Sequence, residues 1–388
     1  MSTTAPAAGP STAHGVTVAE IPRGASMKPF IDFAWTVNAG DPHWVPHLRM
    51  ALEPVLDRSK HPFHQHADVA YFLAWREGRI AGRIAACVNH QYNQFHQDRT
   101  GFFGFFECVD DEAVARALLD AAAEWLRARE CDVMRGPMNF STNDEFSSPG
   151  VLIEGFHRPP TVLMSHNPPY YGRLMDAAGM EKSKDLVAYW IPSSGIPERV
   201  ASGVERLARR AGAAIRSLRI KDLEAEVARV QEVYNAAWSR NWGFVPMTEA
   251  EFRHLAKELK PVVNPELCLL AETPEGEPVG FLLALPDLNV ALKHLRDGRL
   301  FPFGVFKLLW HQRRVRTLRI MTLGLKPGLQ ASGLGTAIYM RGLEMAAKNG
   351  FHAGEASWIL EDNHEMCTAM DKLGATQDKR YRVYDRAL

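Results

Sequence analysis

Cysteine is scarce in this chain of 388 residues. The five present, Cys87, Cys108, Cys131, Cys268 and Cys367, are odd in number and form no CxxC pair. That pattern excludes a disulfide framework and a zinc ribbon, and it points to a reducing compartment. Net charge is missing as well: Lys plus Arg and Asp plus Glu stand at 45 each. No global field therefore steers the protein toward nucleic acid. No run approaches the ~18 apolar residues that span a bilayer. The opening MSTTAPAAGPSTAHG has neither a basic start nor an apolar centre. Residues 1–18 are therefore expected to be a disordered tail and not a signal peptide, and the protein to be cytoplasmic. What is present is ordinary globular material, 46% hydrophobic and 23% charged, in a chain long enough for two domains.

The chain repeats itself in outline. Residues 68–88, DVAYFLAWREGRIAGRIAACV, predict a hairpin turning at REGR, and TGFFGFFECV predicts a third strand. DDEAVARALLDAAAEWLRARE predicts a helix with Asp110 and Asp111 at its dipole-favoured start. PPTVLM then predicts an apolar strand, HNPPYYGRLMDAAG an Asn-led helix ending at Gly179, and KDLVAYWI a last strand. After the break IPSSGIPER (191–199) the order recurs. VARVQEVYNAAW predicts a helix, LCLLAETPEGEPVGFLLAL a hairpin turning at Glu275-Gly276, TLRIMTLGL a strand, and AIYMRGLEMAAKNG a helix stopped by Gly350. Asn167 and Gly179 in the first half answer to Asn363 and Gly374 in the second. Two tandem copies of one α/β (α+β) fold are expected, over 19–192 and 193–388, each with a mixed central sheet flanked by helices.

The halves differ where the third strand runs into its helix. The second has LKPGLQASGLGT (325–336), a glycine-containing turn whose free N–H groups and helix dipole suit a phosphate. The first has ECVDDEAV, acidic and without glycine, which would repel one. The N-terminal copy is therefore expected to be degenerate, and only the second half to bind a phosphorylated ligand.

LKPGLQASGLGTAIY resembles the acyl-CoA loop of the GCN5-related N-acetyltransferases, a Gln/Arg-x-x-Gly-x-Gly/Ala pattern entered from a strand through a proline. Gln330, Gly333 and Gly335 fill its positions. RGPMNFSTNDEFSSPGVLIEGFHRPP, HNPPYYGRLMDAAGM and LPDLNVALKHLRDGRLFPFG are similar to a bacterial double-domain group that includes ceramide synthases, which acylate the amine of a sphingoid base. The resemblance implies an N-acyltransferase with no permanently bound cofactor. Its co-substrates would be acyl-CoA, or an acyl carrier protein, and a long-chain amine. It implies that Gln330, Ala331, Ser332, Gly333, Leu334, Gly335 and Thr336 hold the pyrophosphate through loop N–H groups. Leu323 and Leu325 would bracket a backbone donor to the thioester carbonyl, and Asn363 would close the site. Two departures stand out: Met370 occupies the position of the tyrosine that protonates the leaving thiolate in many relatives, and Ala375 replaces the usual phenylalanine after Gly374. Two other uses of such a loop stay open. One is ordinary acetylation of a small amine or peptide; the other is acyl-CoA sensing without catalysis.

Attack on a thioester needs a neutral amine, so a proton acceptor is sought beside the loop. Glu355, alone in the apolar strand GEASWIL, is the first candidate, with a solvent-facing carboxylate as its plain alternative. Asp287 in LPDLN is the second, against a turn residue capping the next helix. The segment NFSTNDE brings Asn139, Asn143, Asp144 and Glu145 together, a density of amides and carboxylates suited to an amino-diol head group or simply to a loop. Tyr170 and Tyr171 either line a pocket or pack against one. His61, His64 and His66 in HPFHQH have no acidic or cysteine partner spaced to complete a metal site, and no metal is expected. Residues 290–316 insert Phe301, Phe303, Phe306, Leu309 and Trp310 just ahead of Arg313, Arg314 and Arg316. Rings beside arginines suit a peripheral contact at the inner membrane face, and the same bulk would serve as core.

Overall fold

The computed structural model describes residues 11–13, 15–141, 150–192, 198–239 and 241–388. The chain forms two compact units, one drawn from Met1–Leu186, Leu295–Val305 and Lys379–Leu388, the other from Val187–His294 and Phe306–Asp378. In chain order the first unit contains β1 (Ser11–Ala13), β2 (Val16–Glu20), α1 (Lys28–Val37), α2 (Arg49–Leu56), β3 (Ala67–Arg76), β4 (Arg79–Asn89), α3 (His90–His96), β5 (Thr100–Cys108), α4 (Glu112–Arg127), β6 (Val133–Gly136), β7 (Val151–Glu154) and α5 (Tyr171–Ala177). Strand β8 (Glu181–Pro192) leads into the second unit. There follow α6 (Glu198–Arg210), β9 (Ala214–Ser217), α7 (Leu223–Trp238), α8 (Glu249–Leu259), β10 (Cys268–Glu272), β11 (Pro278–Pro286), α9 (Asn289–Leu292), α10 (Gly304–Gln312), β12 (Thr317–Leu325), α11 (Leu334–Lys348), β13 (Ala353–Leu360), α12 (His364–Lys372) and β14 (Thr376–Ala387).

The same topology is written twice. In the first unit β2, β3, β4 and β5 pair antiparallel in that order, and β6 joins β5 in parallel after the crossover helix α4. The end of β14 completes this sheet, antiparallel to β6 and β7. In the second unit β9, β10, β11 and β12 pair antiparallel, and β13 joins β12 in parallel after the crossover helix α11. Strands β3 and β4 read as continuous apolar runs because helices cover both faces, α4 on one side and α1 on the other. Leu118, Leu119, Ala122 and Leu126 of α4 are fully buried in that core. In the second unit Leu334, Ala337 and Ile338 of α11 pack on Leu282, Ala284, Leu318 and Ile320 of the sheet. Helix α7 covers the opposite face, where Val233 meets Leu270 and Phe281.

Three local expectations are corrected. Residues 16–18, placed in the tail by composition, belong to strand β2, because the alternating Val16 and Val18 bury against the sheet. PPTVLM forms no strand: four prolines between residues 159 and 169 withhold N–H groups from any ladder, and the strand of this region is β7. Asn167 does not lead α5. Its side chain accepts from the Leu152 N–H at 2.7 Å and donates to the Leu152 carbonyl at 3.2 Å, holding the loop to β7.

The two crossover helices begin differently. Asp111 caps α4, accepting from the N–H groups of Ala113 at 2.9 Å and Val114 at 3.2 Å. Arg76 pairs with the same carboxylate, and Arg173 with Asp110 and Glu112. The start of α4 is thus closed by its own side chains. Asp111→Ala is expected to lower stability by about 1–2 kcal/mol, and Asp111→Asn, which keeps an acceptor oxygen, by less. Urea denaturation checks both, and equal losses would contradict the cap as the cause.

Candidate functional site

The second unit has an opening in its sheet. Strands β12 and β13 pair only from Thr317–Ala353 to Ile320–Ala356, and then part. The parting coincides with a bulge in β12 at Met321, where the register against β11 slips between Leu283 and Ala284. Bulges of this kind redirect a strand and commonly sit beside functional sites. From Thr322 to Leu325 the strand remains paired to β11 alone, so alternate N–H and C=O groups face the opening. Leu323 and Leu325 point back into the core with α11, while Gly324 lies under Trp238 of α7. A Cβ at Gly324 would stand 2.2 Å from that ring, so glycine is what permits the contact.

The strand runs from Leu325 straight into the predicted loop. Lys326 is tied down by its N–H to Val279 and by an ion pair with Glu232. Gln330 folds back so that its side-chain oxygen accepts from the Gly328 N–H at 2.9 Å. Gly333 sits at φ +82° and is the N-cap of α11, with no side-chain cap. Leu334 N–H finds the Ser332 hydroxyl at 3.2 Å. Among the described residues, nothing accepts from the N–H groups of Ala331, Gly333, Gly335 or Thr336. Ala331 and Thr336 are exposed. These unclaimed donors lie at the positive end of a helix of 15 residues, a geometry that suits an anion. Ser332 and Leu334, also expected among the donors, spend their N–H groups within the chain, on the Leu329 carbonyl and the Ser332 hydroxyl.

At the fork of the two strands lies a buried polar chain. Arg319 and Glu355 stand opposite each other in the parallel ladder. Arg319 donates through Nε to the Ser357 hydroxyl at 3.0 Å, and Ser357 donates to Glu355 Oε1 at 2.6 Å. Glu355 is fully buried, so the solvent-facing alternative is excluded, and it is not the isolated acid the strand suggested. Asp287 is buried too. It accepts from the Asn289 N–H at 3.2 Å, at the start of α9, as a turn residue does, and from the Thr317 hydroxyl at 3.5 Å. Asn363 is exposed and caps α12, accepting from Met366 N–H at 3.1 Å. Met370 is buried, its sulfur 3.7 Å from the Tyr339 hydroxyl that donates to it.

The first unit holds a cavity of about 100 Å³. It gathers two of the substrate-binding candidates, Asn139 and Tyr171. Asn143, Asp144 and Glu145 lie outside the described residues. Tyr170 is not in the lining; its hydroxyl donates to the Cys108 carbonyl at 2.8 Å. Asn139 accepts from the N–H of Phe105 at 2.7 Å, where β5 bulges and Phe105 turns to φ +47°. Three residues that the sequence reading overlooked share the lining: Arg83, Glu107 and His166. Each was visible as a charged or titratable residue inside an apolar or proline-rich run, but nothing in the spacing of the strands announced that they converge. Tyr171 donates to Glu107 Oε2 at 2.6 Å, and Arg83 Nη2 stands 3.6 Å from Oε1. Burial pushes the Glu107 carboxyl above its ordinary range, against the pull of Arg83 and of the Tyr171 and Asn38 hydrogen bonds. The histidines of HPFHQH lie elsewhere. His61 accepts from the Phe63 N–H at 3.3 Å, and His64 bonds the Val55 carbonyl at 3.0 Å.

No protein-family model matches the chain. The bacterial ceramide synthase of Caulobacter vibrioides (strain NA1000 / CB15N) is 39% identical over 386 residues, covering 97% of this chain and 99% of that protein. Protein YghO of Escherichia coli (strain K12) is 33% identical over 368 residues, covering 93% of each. Among solved structures, a tandem GNAT protein from the clavulanic acid biosynthesis pathway matches with a TM-score of 0.54 at 12% identity, over 96% of this chain and 98% of that one. A GCN5-related N-acetyltransferase from Sphaerobacter thermophilus matches with a TM-score of 0.52 at 14% identity, over 97% of each. The structural likenesses show the fold, and the sequence relatives show the kinship. The chain belongs to the family of the bacterial ceramide synthase, N-acyltransferases built on tandem GCN5-related N-acetyltransferase folds.

Proposed function

We propose that this N-acyltransferase moves a long-chain fatty acyl group from acyl-CoA to the amine of a lipid of the sphingoid-base type. The observation that carries the reading is the open start of α11, whose unclaimed N–H groups suit a pyrophosphate. The acceptor follows from the ceramide synthase relative. Acyl-CoA is preferred over an acyl carrier protein because the loop matches a diphosphate rather than a protein surface. Incubation with palmitoyl-CoA or acetyl-CoA, each with sphinganine or a polyamine, tests the reading by mass spectrometry. N-palmitoylsphinganine is the expected product, and acetylated polyamine as the sole product would overturn it.

The thioester lies along the Thr322–Leu325 edge, with the backbone N–H of Leu323 or Leu325 directed at its carbonyl. Loss of a tyrosine at Met370 is tolerable, since a thiol of pKa ~8.5 departs readily as thiolate. Gly333→Val with Gly335→Val crowds the turn and should abolish acyl-CoA binding while circular dichroism stays native. Retained affinity in that double variant would remove the loop from the site.

Glu355 is the proposed proton acceptor, with Asp287 second. A long-chain amine is protonated at pH 7, its pKa near the ~10.4 of lysine. Ser357 donates to Glu355 Oε1 and Arg319 stands opposite it in the ladder, which fixes the carboxylate in place. Glu355→Gln should cut turnover roughly 10²–10⁴ fold with acyl-CoA affinity unchanged, and the deficit should narrow as pH rises and more amine arrives neutral. Near-normal turnover at neutral pH would transfer the role to Asp287.

The lipid acceptor needs a route from its membrane. On α10, Phe306, Leu309 and Trp310 share one face and are 54–68% exposed. Phe301 and Phe303 precede them in the chain, equally bare. Lys307, Arg313 and Arg314 are exposed nearby in sequence. Rings for the acyl boundary and cations for anionic headgroups make a peripheral contact. Phe306→Ser with Trp310→Ser should abolish co-sedimentation with phosphatidylglycerol vesicles, and unchanged sedimentation would assign these residues another purpose.

A further inference from the structure

The cavity of the first unit carries a side-chain arrangement that acyl-CoA binding does not use. His166 is almost wholly buried, with 2% of its side chain exposed, and its Nε2 meets Asp41 Oδ2 at 2.8 Å. Asp41 is itself held: Oδ1 accepts from the N–H groups of His43 at 2.7 Å and Trp44 at 3.3 Å. Arg296 braces the same turn, donating to the carbonyls of Asp41 at 2.9 Å and Trp44 at 2.7 Å. A carboxylate so fixed places the imidazole proton on Nε2 and leaves Nδ1 as a lone-pair acceptor. That Nδ1 is buried and has no partner among the described residues. Burial pushes the His166 pKa down, and the Asp41 hydrogen bond and charge only partly restore it, with Lys379 and His43 adding to the depression. The ring is therefore neutral near pH 7.

A second acceptor faces the same space. Glu107 Oε2 is taken by Tyr171 and Asn38, but Oε1 makes no hydrogen bond to a described residue, Arg83 standing 3.6 Å away. Arg83 donates to the Phe30 carbonyl at 2.7 Å, and its Nε is a buried donor without a partner among the described residues. Around these groups apolar Trp35, Trp44, Leu52 and Phe106 alternate with polar Asn139 and Ser165 in the lining. Buried polar groups without a partner, here His166 Nδ1 and Arg83 Nε, cost free energy unless a ligand completes them, and Glu107 Oε1 has only its ion pair with Arg83 among the described residues. Two acceptors and one donor, set in a cavity of mixed polar and apolar lining, define the complement.

We propose that this cavity binds a protonated primary amine bearing a neighbouring hydroxyl group, with His166 Nδ1 and Glu107 Oε1 accepting from the ammonium and Arg83 Nε donating to the hydroxyl. The identification of that amino alcohol with the acyl acceptor rests on the function proposed above. Asp41 is a positioning residue, acting through His166. The role of the cavity is to bind the head group.

Isothermal titration of the full-length protein with a water-soluble short-chain 2-amino-1,3-diol tests this directly. His166→Phe and Glu107→Gln should each weaken its binding about ten-fold or more, while palmitoyl-CoA affinity stays that of the wild type. The matching alkane-1,3-diol, lacking the amine, should bind the wild type at least about ten-fold more weakly. Equal affinity of the two diols, or unchanged affinity in Glu107→Gln, would overturn the site. Should His166→Phe fail to fold, Glu107→Gln and the alkanediol still decide. Glu355→Gln should bind the amino diol normally. Amine binding without acylated product in the wild type would keep the site and remove the proposed function. Acylated product with unaltered binding in both cavity variants would do the reverse.

Discussion

A helix start that its own side chains leave unclaimed is the feature on which the second unit turns. The amides of Gly333, Gly335 and Thr336 lie at the positive end of α11, and Gly333 can take φ +82° because it has no Cβ. Had residue 333 been Asp or Ser in an extended conformation, its side chain would have capped the helix and filled the place of an anion. The first unit shows that outcome. Its crossover helix α4 occupies the same place in the same strand order, yet Asp111 takes the first-turn N–H groups. One topology thus leaves an open helix start in one copy and a closed cap in the other, and the difference is a few residues at a single turn.

The opening of the sheet follows from the same economy of parts. The parallel pair β12–β13 holds for four registered positions and ends at the Met321 bulge. The first unit repeats this: β5 and β6 pair at three positions before the bulge around Phe105. There the Met138 and Asn139 segment returns to bond β5, Met138 N–H donating to the Phe103 carbonyl at 2.7 Å. Beside that segment lies the cavity with Glu107 and His166. A bulge in both copies means a break in both sheets, lined differently in each.

Much of this was legible in the chain because it is local. The hairpin turning at REGR, the alternating strands, the crossover helices and the LKPGLQASGLGT turn are all written in adjacent residues. What stayed hidden depends on contacts distant in sequence. Arg83 on β4, Glu107 on β5, Tyr171 at the start of α5 and His166 in a proline-rich loop converge only through the sheet register and the loop path. Glu355 was found as an acid in an apolar strand, but its partners Ser357 and Arg319 required the parallel register to appear. Asn167 and Asn363, matched by position in their copies, do different work: one bonds a strand's backbone and the other caps a helix. Spacing finds repeats and does not reveal what a repeated residue touches.

Amide hydrogen–deuterium exchange with and without palmitoyl-CoA reads the central interaction itself. Across residues 331–336 the N–H groups of Ala331, Gly333, Gly335 and Thr336 should exchange more slowly when the co-substrate is bound, because a pyrophosphate accepts from donors that no described residue otherwise claims. The amides of residues 111–114 at the start of α4 should be unaffected, since Asp111 already holds two of them. Unchanged exchange across 331–336 at saturating palmitoyl-CoA, or protection of 111–114 in its place, would contradict the account.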